Sequence, residues 1–338
     1  MAASAARPAT QLSFFLMPID LPFPFGTWPT ATSYGRLCRF IRTPAGDRPA
    51  PGCQTGAAGS GNSRCRYVRG VLLASIPSPS DPFVFHLGGL APRWYGILLA
   101  LGILLAILIT RRQLALRGRD PGLAGEVAVW AVPCGVVGAR LYHVVTDWSA
   151  FSGHLENIPL IQQGGLGIYG ALLGGALGAV VGARRAGVPL LVILDCAAPG
   201  VALAQALGRF GNYFNQELFG GPTSLPWGLE IDPEYRPPQY LDETTFHPTF
   251  LYESLWNLLV MAVLLRVALR WRRHAAGYVL ALYLALYSLG RFFVEGLRVD
   301  PAHEIGPFRL NQVVAAVVFA LSLAALARLR RQAPQAAG

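Results

Sequence analysis

Seven long, nearly unbroken apolar runs dominate this 338-residue chain. They lie at roughly 94–110, 124–146, 165–183, 188–208, 249–269, 277–296 and 310–327. Each is close to the ~20 residues an α-helix needs to cross a bilayer. Lipid offers no hydrogen bonds to a backbone, so only helices or closed barrels span it. The runs are continuous rather than alternating, which selects helices. Composition agrees, because 53% of residues are hydrophobic and 14% charged, too apolar for an ordinary soluble domain. The expectation is an all-α, polytopic membrane protein with seven transmembrane helices.

Every one of the 28 basic residues is arginine. Without lysine, the chain has no lysine base and no Schiff base to offer. A net charge of +10 would suit nucleic acid, but the arginines border the apolar runs and read as topology signals instead. Arg111, Arg112, Arg117 and Arg119 follow the first run, Arg184 and Arg185 the third. Arg266, Arg270, Arg272 and Arg273 end the fifth run, and Arg328, Arg330 and Arg331 the seventh. All four groups fall on one side, which the positive-inside rule makes cytoplasmic. The stretch from Thr146 to Gln163 has no arginine and belongs outside, as do 209–248 and 297–309. The first helix then begins outside, and the C-terminus, with a short 332–338 tail, is cytoplasmic.

Residues 1–70 differ in character. They are rich in Pro, Gly, Ser and Arg, and their eight arginines face only Asp20 and Asp47. Two readings fit: a disordered tail, or translation beginning near Val71-Leu-Leu-Ala-Ser, so that 71–331 is the membrane domain. Composition favours the second. Cys38, Cys53 and Cys65 in this stretch have no zinc-site spacing. Cys134 and Cys196 lie in apolar runs and read as packing residues. No metal cluster and no cofactor is expected.

The motifs divide into packing and polar classes. Gly165-Leu-Gly-Ile-Tyr-Gly170 matches a dinucleotide fingerprint, but no strand precedes it. Gly170, Gly174, Gly178 and Gly182 instead recur every fourth residue, a small-residue face for close helix packing. Polar residues near a membrane are paired, hydrated or used. Arg140, His143 and Asp147 share one face at the end of the second run. Asp195, Gln205 and Arg209 share a broad face in the fourth run, followed by Asn212 and Glu217. Arg209 presents a planar fork suited to phosphate, with a structural Arg–Glu pair as the rival reading. Tyr287, Arg291 and Arg298 cluster on the sixth run, and Arg291 and Glu295 form an i,i+4 pair. Three polar groups at one expected outer level point to a cavity. Loop 221–247, with six prolines counting Pro248 at its edge, has the length of a substrate-facing lid. Most of its acids, Glu230, Asp232, Glu234, Asp242 and Glu243, read as solvated surface.

The stretch Gly208-Arg-Phe-Gly-Asn-Tyr-Phe-Asn-Gln-Glu-Leu-Phe-Gly220 resembles the signature of prolipoprotein diacylglyceryl transferases. Arg93-Trp-Tyr-Gly96, Gly138-Ala-Arg140, Gly164-Gly-Leu-Gly-Ile-Tyr-Gly170, His247-Pro-Thr-Phe-Leu-Tyr-Glu253 and Arg291-Phe-Phe-Val-Glu-Gly-Leu-Arg298 resemble further family segments, in order over ~71–330. The resemblance implies a multi-pass enzyme of the bacterial plasma membrane with its active site towards the outer leaflet. It implies transfer of a diacylglyceryl group from phosphatidylglycerol to the lipobox cysteine of a prolipoprotein signal peptide, with release of glycerol phosphate. Its partners are membrane lipid and that peptide, with no nucleic acid. Arg209 would bind the phosphate, and Arg291 would be a second essential arginine, with Asn212 and Glu217 beside them in the catalytic set. Arg140, Gly220, Tyr287, Glu295, Arg298, Tyr169 and His247 would line the substrate. Tyr169 stands where many members carry histidine, and a phenol with an ordinary pKa of ~10 is a poor base. His143 or His247 could substitute, or no side-chain base is needed. An anion transporter or channel is the alternative, but it predicts internal repeats that are not visible. A receptor-like protein with purely structural arginines is a third.

Overall fold

The computed structural model describes residues 75–79, 81–86, 91–160, 165–270 and 274–332. The stretch 1–70 with its three cysteines, and Arg272 and Arg273, lie outside these. Each apolar run becomes a helix: α1 (Trp94–Leu116), α2 (Leu123–Thr146), α4 (Ile168–Arg185), α5 (Leu190–Phe214), α6 (Thr249–Ala268), α7 (Tyr278–Glu295) and α8 (Leu310–Arg331). A single turn, α3 (Trp148–Phe151), follows α2. Six of these helices, all but α4 and α3, are long and apolar enough to cross a membrane. Two short antiparallel pairs join these helices among the described residues. β1 (Leu229–Glu230) pairs with β2 (Thr245–Phe246), and β3 (Glu304–Ile305) with β4 (Phe308–Arg309).

Several helices outrun the apolar runs that announce them. α5 continues past Gly208 to Phe214, α1 carries Arg111 and Arg112 in its last turns, and α8 ends at Arg331. Backbone hydrogen bonding does not stop where hydropathy does, and arginine heads reach water from a helical backbone. This extension matters, because it puts Arg209 and Asn212 on the final turns of a rigid helix.

Packing follows the small residues. α4 lays its glycine face along α2. A side chain added at Gly170, Gly174, Gly178 or Gly182 would run into the backbone of α2, at Gly138, Cys134, Trp130 and Val127 respectively. The opposite face of α4 exposes Leu172, Leu173 and Leu177. This close approach supplies the dispersion contacts that hold the pair. α1 lies along α5, and α6, α7 and α8 pack in sequence beyond it.

A polar bond sets the register of α5 against α7. The Asp195 carboxylate is buried on α5 and accepts from the backbone N–H groups of Gly277 and Leu280, each at 2.8 Å, at the start of α7. Those donors have no partner within their own helix, so a carboxylate from a neighbour serves as their cap. Arg117 lies 3.9 Å from the same carboxylate. Cys196 is fully buried in the adjoining apolar cluster with Leu114, Val127 and Ile193.

Candidate active site

The end of α5 sets the site. Arg209 and Asn212 are three residues apart on its last turns, so both side chains face the same way. The chain then turns sharply through Gln216 and Leu218, both at positive φ (50° and 61°). Such backbone is uncommon outside glycine and costs on the order of 1 kcal/mol or more per residue. Surrounding bonds hold it in place. The buried Gln216 amide donates to Asp232 at 2.6 Å and accepts from the Asp232 N–H at 2.8 Å. Thr249 Oγ1 donates to the Leu218 carbonyl at 2.5 Å. The turn swings Glu217 back over the helix end, where its carboxylate accepts from Asn212 at 2.8 Å and Asn215 at 3.1 Å.

Arg209 does not pair directly with Glu217. Its Nη1 donates to Asn212 Oδ1 at 3.3 Å, and its Nε lies 2.9 Å from Glu253 Oε2 on α6. The other oxygen of Glu253 lies 3.4 Å from Arg291 Nη1 on α7. One carboxylate, only 7% exposed, therefore joins the two arginines that sequence singles out. A buried charge of this kind persists only when paired.

The network continues outward from Arg291. Its Nη2 lies 2.7 Å from Oε2 of Glu295, a side chain with no exposed surface. Glu295 is also 3.5 Å from Arg298, 3.2 Å from Arg309 and 3.0 Å from the Asn311 amide donor. Arg298 and Arg309 share Asp300, at 2.7 and 3.0 Å. Arg309 further donates to the backbone carbonyls of Arg298 and Asp300, which fastens the 297–309 segment to the start of α8.

The remaining expected residues fall around this core. Tyr169, at the start of α4, donates its hydroxyl to Asn311 Oδ1 at 3.2 Å and so connects to Glu295. Gly220 is buried against the backbone on two sides: its N–H donates to the His247 carbonyl at 3.0 Å, and it bridges to Arg298. A Cβ there would sit 2.7 Å from that of His247. The His247 ring lies 3.3 Å from the Tyr252 hydroxyl, which accepts from Trp227 Nε1 at 3.1 Å. Tyr287 lines a narrow recess with Glu253, Trp256, Asn257 and Arg291. Arg140 is buried on α2 and donates to the carbonyls of Asn157, Ile158 and Gly165 at 2.6–3.1 Å. These bonds tie α2 to the Asn157–Ile158 turn and to Gly165 before α4.

The 221–247 segment is a small folded unit. Phe219, Leu229, Ile231, Phe246 and Phe250 form its core. Ser75 and Ser78 donate to Glu230 and Asp232, while Ile76 pairs with the β1 edge. Glu234, Asp242 and Glu243 are solvated as expected, whereas Glu230 and Asp232 are half-buried and bonded. Burial, then the neighbouring carboxylates of Glu234 and Asp232, push the Tyr235 phenol above its ordinary value, so it stays neutral.

Sequence reasoning did not place Glu253, Asp300, Arg309 or Asn311 in the site, although Glu253 ends one of the family-like segments. Glu253 carried a usable signal, since it is an acid inside an apolar helix. Asp300 and Arg309 sit in the short connection between α7 and α8, and Asn311 in the first turn of α8, where polar residues are ordinary.

Residues 82–328 match the family profile described as prolipoprotein diacylglyceryl transferase. The chain is 50% identical over 264 residues to the phosphatidylglycerol–prolipoprotein diacylglyceryl transferase of Frankia alni, covering 77% of this chain and 69% of that one. It is 48% identical over 258 residues to a Streptomyces coelicolor protein described as transferase 2 of the same name, covering 75% and 80%. A Cutibacterium acnes relative of that name is 47% identical over 261 residues, covering 76% and 88%.

Proposed function

The chain belongs to the prolipoprotein diacylglyceryl transferase family, and we propose that Arg209 and Arg291 form the phosphate clamp of its transfer reaction. The enzyme transfers the diacylglyceryl group of phosphatidylglycerol to a prolipoprotein. The acceptor is the thiol of a lipobox cysteine in the signal peptide. The cysteine sulfur forms a bond to the terminal glyceryl carbon, the bond from that carbon to the phosphate oxygen breaks, and glycerol phosphate leaves with the electron pair. The thiol proton passes to solvent or to a neighbouring group.

The observation that carries the assignment is the shared carboxylate. Glu253 lies 2.9 Å from Arg209 and 3.4 Å from Arg291, so two guanidinium forks are fixed side by side before any lipid arrives. Preorganised donors of this type stabilise charge as it gathers on a leaving phosphate, without reorganising during the reaction. The same arginines favour a thiolate over a thiol nearby, which lessens the need for an imidazole at position 169. Asn212 and Glu217 orient Arg209. Glu295 and Arg298 orient Arg291. Tyr169, Gly220, His247, Tyr287 and Arg140 shape the surroundings.

We read α4 as a seventh crossing, supported by its packing along α2 and its outward leucines. The arginine groups at the ends of α1, α4, α6 and α8 then face the cytoplasm, and the site lies towards the outer leaflet of the plasma membrane. Family membership gives no support to the anion-transport alternative.

The test uses purified full-length protein, headgroup-labelled phosphatidylglycerol and a lipobox peptide. Release of labelled glycerol phosphate should accompany a diacylglyceryl mass gain on the cysteine. Arg209→Ala should abolish transfer with little change in folded yield, and an active Arg209→Ala would overturn the clamp. A wild-type protein inactive where a known family member works would overturn the reading itself.

A further inference from the structure

One buried polar group beside the arginine clamp is left without a partner. Asn257 lies on α6, one turn beyond Glu253, and is 2% exposed. Its side-chain carbonyl oxygen is buried and accepts no hydrogen bond among the described residues. Asn257 lines the recess that also holds Glu253, Tyr287 and Arg291, so the group borders the proposed phosphate position. The recess is closed on one side by Trp256, whose indole is fixed by donation to the Leu286 carbonyl at 2.9 Å. The indole packs so closely over Gly290 that any side chain there would strike it. The recess is narrow, with room for a single hydroxyl-sized group and none for an acyl chain.

From this we infer that Asn257 is a specificity residue for the lipid headgroup, accepting a hydrogen bond from a headgroup hydroxyl while Arg209 and Arg291 hold the phosphate. The inference rests on the phosphate-clamp reading. An unpaired carbonyl needs a donor, and the donors that phosphatidylglycerol carries are its headgroup hydroxyls. They hang a few bonds from phosphorus, a reach comparable to the ~6 Å of one helical turn between Glu253 and Asn257. A site built to bond a hydroxyl discriminates strongly against an analogue lacking it, because the buried acceptor is then left unpaired.

The test is a ratio. Full-length protein in proteoliposomes is given a lipobox peptide and either phosphatidylglycerol or phosphatidylpropanol, whose three-carbon headgroup has no hydroxyl. The wild type should prefer phosphatidylglycerol in kcat/KM by about tenfold to a hundredfold. Asn257→Leu and Asn257→Ala should each collapse that ratio towards one. A merely structural role would lower both rates together and keep the ratio, which overturns the inference, as does a wild type that shows no preference. A wild type that transfers from neither lipid overturns the underlying transferase reading instead.

Discussion

Glutamine at position 253 would keep the shape of the shared carboxylate and remove its charge. Two guanidinium groups would then lose their common anion, although Arg291 would retain Glu295 at 2.7 Å. The Glu253 side chain is 7% exposed and its two partners 18% and 17%, so solvent screens the interaction only in part. Removing one member of a buried ion pair costs ~3–5 kcal/mol. The glutamine carbonyl still accepts from one arginine, which argues for the lower end, about 3 kcal/mol. At ~1.5–2 °C per kcal/mol for a chain of this size, Tm should fall by about 4–6 °C. Catalysis should fall separately. A misplacement on the order of 1 Å in a positioning group costs about a hundredfold in rate, so kcat for Glu253→Gln should drop by about that factor. KM for lipid should not rise, because the phosphate meets more positive charge than before. Phosphatidylglycerol should also raise the Tm of the variant more than that of the wild type, since its phosphate takes over the missing charge. The assays are thermal unfolding in detergent with and without lipid, and transfer rates at saturating and limiting phosphatidylglycerol. A variant with wild-type Tm and kcat would refute the shared-anchor argument. A raised KM at unchanged kcat would show Glu253 to be a simple binding contact.

Two further outcomes probe the scaffold. Asp195→Ala leaves the Gly277 and Leu280 N–H groups and Arg117 without their carboxylate, so it should destabilise by about 3–5 kcal/mol, read as a lower Tm. An unchanged Tm would remove Asp195 as the tie between α5 and α7. Gly178→Val adds a side chain where even a Cβ would lie 2.8 Å from Ala131 Cα and overlap the Trp130 carbonyl. It should cost about 1–3 kcal/mol by forcing α2 and α4 apart, seen as reduced Tm, and an unaffected Tm would contradict the close packing.

How much of this was legible in the chain depends on the range of the forces involved. Helix positions were readable because hydropathy is summed over a whole span, so the ends at Leu123, Thr249 and Leu310 fall within a residue of the apolar runs. The end of α5 was not, because Arg209 and Asn212 are polar yet helical, and hydropathy cannot report backbone hydrogen bonding. The i,i+4 pair of Arg291 with Glu295 followed from helical spacing alone. The partner of Arg209 did not. Glu217 was the near neighbour in sequence, while Glu253 is brought in by the packing of α6, a contact that no local spacing encodes. The same holds for Arg140, whose carbonyl partners lie on a loop that only tertiary folding brings back.

The carboxylate of Asp195 at one end of α7 and the Arg291–Glu253 contact near the other make that helix a ruler. Its start is fixed to α5 by two backbone bonds, and Arg291 must emerge facing α6. Each residue of a helix turns the next by ~100°. One residue inserted or deleted between Leu280 and Arg291 would leave the span as apolar as before and rotate Arg291 out of reach of Glu253. Between those points the side chains of α7 can drift so long as they pack, while the number of residues cannot.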